Sequence, residues 1–116
     1  MRRFIRALVH AIQGIGLGLR QERHLRFHAI AAAGVVGLAV WLPLQLWEWI
    51  ILLLCIGMVF AAELINGALE RVADVAHPAT HPLIKAAKDM SAGAVLVLAV
   101  ISLVVGVLIF GPKLLG

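Results

Sequence analysis

The sequence predicts an all-α membrane protein, with an N-terminal amphipathic surface helix followed by three transmembrane helices. Three observations carry that expectation. First, 63% of the 116 residues are hydrophobic and the mean hydropathy is +1.05, whereas a soluble domain of this size must cover most of its surface with polar groups. Second, charged residues make up 14% of the chain and are clustered rather than spread. Third, apolar runs of spanning length recur; the last, "MSAGAVLVLAVISLVVGVLIF", has 21 residues and reaches about 31 Å as a helix, enough for a hydrocarbon core of about 30 Å. A chain this short holds one domain, residues 1–116.

The surface helix is expected over about residues 2–20, "RRFIRALVHAIQGIGLGLR". Phe4, Leu8, Ile12, Ile15 and Leu19 recur at helical spacing, with Arg2, Arg3, Arg6, His10 and Gln13 largely elsewhere, the pattern of a helix lying in the headgroup layer. Gly14, Gly16 and Gly18 weaken the helix and point to close packing or a bend; neither their spacing nor their context matches a dinucleotide fingerprint. The arginines and the lack of a small-residue cleavage site after a continuous apolar core argue against a removable secretory signal.

A charged segment, "RQERHLRFH", leads into the first span, about residues 27–42, and Pro43 marks the turn. The second span runs from about 46 to 62 and continues as helix into "AELINGALERVADV". Trp41, Trp47 and Trp49 cluster around the connection as an interfacial belt. The loop "HPATHP" ends this long helix, "LIKAAKD" restarts one, and the third span follows over about 90–110, closed by Gly111 and Pro112. Cys55 lies in an apolar run and reads as a small hydrophobe, without a disulfide partner.

Nine of the ten Lys and Arg residues lie on the side shared by the N-terminus and residues 63–89, with only Lys113 opposite. The positive-inside rule makes that side cytoplasmic for a multi-pass membrane protein. The acids follow: Glu22, Glu63, Glu70, Asp74 and Asp89 share it and Glu48 alone faces out. The net charge of +4 comes without the interleaved aromatics of a nucleic-acid platform, so no nucleic-acid partner is expected. Anionic headgroups or a nucleotide's phosphates suit the basic residues better.

On an ideal helix Glu63, Asn66, Glu70 and Asp74 fall within roughly 80° of one another and form one acidic stripe at the membrane border. Glu63 follows fourteen uninterrupted apolar residues, which places it at or just inside the headgroup boundary, where a carboxylate suits general-base work. Glu70 lies about 10 Å further along the axis, in the aqueous layer. One carboxylate at lipid depth and one in water suit a reaction joining a lipid hydroxyl to a water-soluble phosphate donor. Such hard oxygen ligands hold Mg²⁺ together with substrate phosphates, and Glu22 at the mouth of span one is the natural second carboxylate. The plainer reading of any one of these acids is a solvated charge or a weak surface pair, and Asn66 alone could be an interhelical hydrogen bond. Four polar residues on one face at the border are expensive unless used.

"ELINGALERVAD", "AKDMSAGAVLVL" and "QERHLRFH" together resemble the small prokaryotic lipid kinases, the integral-membrane diacylglycerol and undecaprenol kinases, over essentially the whole chain. The resemblance implies ATP- and Mg²⁺-dependent phosphorylation of a membrane lipid alcohol by a homotrimer with sites assembled between protomers. It implies Glu63 as general base and Glu22 and Glu70 as carboxylates for metal and ATP phosphates. Lys88 and Asp89 match the pair near the nucleotide, and His81 falls in the loop covering it. Arg3, Arg6 and His10, with Glu63 and Asn66, fall in the substrate-binding region, while Asp74 supports the stripe. Gly67 departs from the Thr or Ser often found there. No Walker A sequence occurs, so ATP must be held by carboxylate-bound Mg²⁺, Lys88 and backbone.

A small transporter is the rival reading from another class, but it would place an acid near the bilayer midplane, and no span carries one. A structural subunit would leave the stripe unused. Within the resemblance, "ERHLRFH" and "HPLIKAAKDMSAGAVL" favour undecaprenol as substrate, with diacylglycerol the alternative.

Overall fold

The computed structural model describes all 116 residues as four helices and no strand: α1 (Arg2–Gln21), α2 (Arg23–Trp41), α3 (Leu46–Ala76) and α4 (Pro82–Leu115). α2, α3 and α4 are long and apolar enough to cross a membrane. At 1.5 Å per residue the 31 and 34 residues of α3 and α4 extend about 46 and 51 Å, well beyond the hydrocarbon core. The surplus of both helices lies at one end, where the acidic stripe and the Lys85–Asp89 segment sit outside the apolar stretches.

α1 is continuous through Gly14, Gly16 and Gly18, so the glycines do not bend it. Gly18 is the one that packs closely: a Cβ there would lie 2.8 Å from Leu64 Cδ2 and 2.9 Å from Leu25 Cδ2, whereas Gly14 and Gly16 face open space. Leu25 is fully buried at this junction. The chain turns at Glu22, whose extended backbone (φ −99°, ψ 110°) caps both α1 and α2. Arg26 stabilises the corner by donating from Nη1 to the carbonyls of Arg20 (2.7 Å) and Leu19 (3.2 Å), which places a cation on the negative end of α1. The remaining apolar face of α1, including Phe4, Leu8 and Ile12, is exposed, as a helix resting on lipid requires.

α2 and α3 form a hairpin whose connection is closed by a capping box. Gln45 and Glu48 exchange side-chain and backbone hydrogen bonds, Glu48 Oε1 accepting from Gln45 N at 2.9 Å. Beside this turn Ala39, Leu52, Ile109 and Phe110 make a buried cluster with Trp49 packed against it, while Trp41 and Trp47 are exposed. The expected belt is therefore two interfacial indoles and one that packs inward. α3 and α4 share the longest interface.

Gly111 and Pro112 do not close the last helix, which continues to Leu115. Pro112 removes one backbone donor three residues before the helix end, leaving less than a full turn beyond it. That turn is anchored from outside, because Lys113 Nζ lies 3.1 Å from Glu48 Oε1.

Candidate active site

The charged end of the hairpin gathers most of the predicted residues, each positioned by a different neighbour. Glu63 is 7% exposed, and its partner comes from α2: His28 Nε2 lies 3.3 Å from Glu63 Oε1. Asn66, one turn further on, has a fully buried Oδ1 that accepts no hydrogen bond within the chain. An unsatisfied buried acceptor costs about 1–3 kcal/mol.

Glu22 reaches across from the α1–α2 corner to α3. Arg71 Nη1 sits 3.0 Å from its Oε1, and Arg71 Nη2 donates to Gln21 Oε1 at 2.7 Å. The carboxylate lies directly over Gly67, where a Cβ would approach Glu22 Oε1 to 3.0 Å and its Cδ to 3.1 Å. The departure from Thr or Ser at this position thus opens the space that Glu22 occupies. Sequence reasoning registered the glycine but not its tenant.

Glu70 and Asp74 face α4. Lys88 Nζ donates to Asp74 Oδ1 at 2.5 Å. This hydrogen bond, aided by the Asp74 and Glu70 charges, holds the Lys88 ammonium above the usual lysine range. Asp89 pairs with Lys85 one turn back at 2.7 Å, so the Lys88–Asp89 pair expected from the sequence is split between two partners. His81 caps α4, its Nδ1 accepting from Leu83 N at 3.1 Å. It lines a cavity of about 190 Å³ with Asp74, His77, Thr80, Lys85 and Lys88. Arg3, Arg6 and His10 stay on exposed α1, apart from this cluster; His10 contacts only its own helix, at Gln13.

A larger groove of about 640 Å³ runs between α1 and α3, walled by Ala11, Gly14, Ile15, Gly18, Leu64 and Ala68, with Glu22 and Arg71 at one end. Small residues on both helices keep it open. No three carboxylates, thiols or imidazoles of the chain converge on one point.

The profile of prokaryotic diacylglycerol kinases matches residues 9–110. The chain belongs to the prokaryotic diacylglycerol kinase family. It is 47% identical over 114 residues to the undecaprenol kinase of Bacillus subtilis, covering 98% of this chain and 93% of that protein. It is similar also to a diacylglycerol kinase of Synechocystis, at 35% identity over 92% of this chain and 62% of that one. The diacylglycerol kinase of Escherichia coli K12 is 28% identical, over 88% and 84%. The family makes this chain a lipid kinase of the membrane.

His28 is the residue that sequence reasoning missed. A signal was present: His28 is the last polar residue before the apolar run of span one, as Glu63 is the first after that of span two.

Proposed function

We propose that the protein phosphorylates undecaprenol to undecaprenyl phosphate with ATP as donor and Mg²⁺ as the accompanying ion. The observation that carries the choice of lipid is the 47% identity to an undecaprenol kinase across nearly the full length of both chains, against 35% and 28% to diacylglycerol kinases. The groove between α1 and α3, narrow and apolar with a charged end, suits a single long hydrocarbon chain whose hydroxyl ends at the membrane border.

In this reading Glu63 accepts the proton of the lipid hydroxyl as its oxygen attacks the γ-phosphorus. The bond from that phosphorus to the β,γ-bridging oxygen breaks, ADP leaves, and the proton passes to water, giving lipid phosphate, ADP and H⁺. Lys88, kept cationic by Asp74, offsets the charge developing on the phosphoryl oxygens. Glu22 and Glu70 are the carboxylates that would hold Mg²⁺, which supplies charge neutralisation at the phosphates. The bare backbone of Gly67 gives the Glu22 carboxylate its place. Asn66 meets substrate or a neighbouring protomer, Asp89 and His81 border the nucleotide, and Arg3, Arg6 and His10 meet lipid headgroups.

We place this end of the molecule in the cytoplasm and the working unit as a homotrimer. Only 12 of 116 residues are buried in the single chain, and the orphaned Asn66 acceptor supports a site completed by a neighbour. The orientation is tested with Ala79→Cys in a Cys55→Ala background: the thiol should resist membrane-impermeant reagents in intact cells, and labelling there would reverse the topology. Side-by-side assay of undecaprenol and diacylglycerol in mixed micelles tests the substrate. A kcat/KM at least tenfold higher for undecaprenol is expected; the reverse preference assigns the diacylglycerol reaction.

A further inference from the structure

The buried carboxylate of Glu63 has one ion-pair partner in the chain, His28, at 3.3 Å. The two side chains, 21% and 9% exposed, are the membrane-edge polar residues of adjacent antiparallel helices, so the hairpin brings them together at one depth. The adjacent Phe27 ring stands edge-on to the imidazole at 5.6 Å and 77°.

A carboxylate at the lipid boundary has two problems as a base. Its long side chain can swing toward water, and its two oxygens are equivalent, so the lone pair facing the substrate is not fixed. A donor on one oxygen addresses both problems. We propose that His28 is the positioning residue for Glu63: its Nε2–H holds Oε1 and thereby directs Oε2 at the lipid hydroxyl. This rests on the reading of Glu63 as the base. His28 exchanges no proton in the reaction; the proton taken from the alcohol resides on Glu63 until it leaves to water. The 3.3 Å approach is longer than the roughly 2.7–2.9 Å of a formed charge-assisted bond and is not aligned as a hydrogen bond in this structure; catalytic contacts are often long or poorly aligned without substrate and tighten when it binds. The requirement on the ring is chemical: Nε2 must carry hydrogen, which either the Nε2–H tautomer or the imidazolium provides.

The test compares His28→Phe and His28→Gln in correctly assembled protein. His28→Phe should lower kcat at least tenfold with the KM values for lipid and nucleotide within about twofold, because misaiming a base removes a contribution made at the transition state. His28→Gln, whose amide N–H reaches near the Nε2 position, should recover most of that loss. In a Glu63→Gln background His28→Phe should change the residual rate less than twofold, since coupled residues act as a unit. Equal losses in His28→Phe and His28→Gln, or near wild-type kcat in His28→Phe, overturn the positioning role. A readout that does not depend on turnover is the ¹⁵N spectrum of the labelled ring: wild type should show a protonated Nε2, and Glu63→Ala should change that signal. An unchanged ¹⁵N spectrum overturns the pairing itself. Full turnover in Glu63→Gln alone overturns the base assignment and this proposal with it, a result distinct from failure in the His28 variants.

Discussion

The two ends of the α2–α3 hairpin hold similar groups in opposite ways. At the turn end the lone acid, Glu48, accepts from the Gln45 backbone at 2.9 Å and meets Lys113 at 3.1 Å, over the buried cluster of Ala39, Leu52, Ile109 and Phe110. At the charged end Glu63 is as buried as Glu48 yet has only a 3.3 Å contact to His28, and Asn66 Oδ1 has nothing. Glu22 is bound to an arginine over a bare glycine backbone, beside an open groove. Burial alone does not mark a functional carboxylate. In the proposed reading the distinction is how completely the chain satisfies it: the fully paired acid fastens helices, and the under-paired acid keeps capacity for a substrate.

The largest effect expected from that contrast is at Glu63. Glu63→Gln keeps the shape and one acceptor but cannot take a proton, and loss of a general base lowers turnover by about 10²- to 10⁴-fold. Nucleotide binding measured on the same sample should persist, and near wild-type turnover would show the carboxylate to be a structural pair after all. An intermediate effect is expected at the turn end. Phe110→Ala removes a buried ring from the cluster, which in a water-soluble core lowers stability by about 3–5 kcal/mol. Between helices in lipid the hydrophobic transfer contribution is largely absent, so a loss of about 1–3 kcal/mol in detergent unfolding is expected, with unchanged kcat per folded molecule. A matching fall in kcat would show that the two ends are coupled rather than separate. The smallest effect is at Gly67. Alanine gains about 1 kcal/mol of helix propensity but its Cβ stands 3.0 Å from Glu22 Oε1, so the carboxylate must shift by a few tenths of an ångström. Gly67→Ala should hold or raise thermal stability while raising the KM for MgATP by about two- to fivefold; an unchanged KM would remove Glu22 from the phosphate donor's site.

Helix number, order and the location of the charged end followed from hydropathy and from the stripe at residues 63 to 74, because bilayer thickness and helical pitch act on every residue of a span. The partners across helices did not follow. Lys113 and Glu48 are isolated in sequence on the sparsely charged side, and only the antiparallel return of α4 beside the α2–α3 turn makes them neighbours. The helix runs past Pro112, and the same contact holds its last turn. The Lys88–Asp74 and Lys85–Asp89 pairs illustrate the same limit: adjacent Lys88 and Asp89 point about 100° apart on a helix, so each finds a partner elsewhere. His28 was legible in principle from its place at the edge of an apolar run. Its meaning required knowing which depth of α3 it meets.

The capped turn between α2 and α3 also bears on how the chain enters a bilayer. A hairpin closed by four residues, 42–45, can insert as one body, and the only charge it must carry across is Glu48. A charged side chain at mid-membrane costs about 2.5–3.5 kcal/mol on insertion scales. With the capping box formed, that carboxylate already accepts from the backbone amide of Gln45, the residue that caps its own helix. α4 runs in the same direction as α2 and ends beside that turn, where Lys113 meets Glu48 at 3.1 Å, so one ion pair ties the end of the last helix to the start of α3.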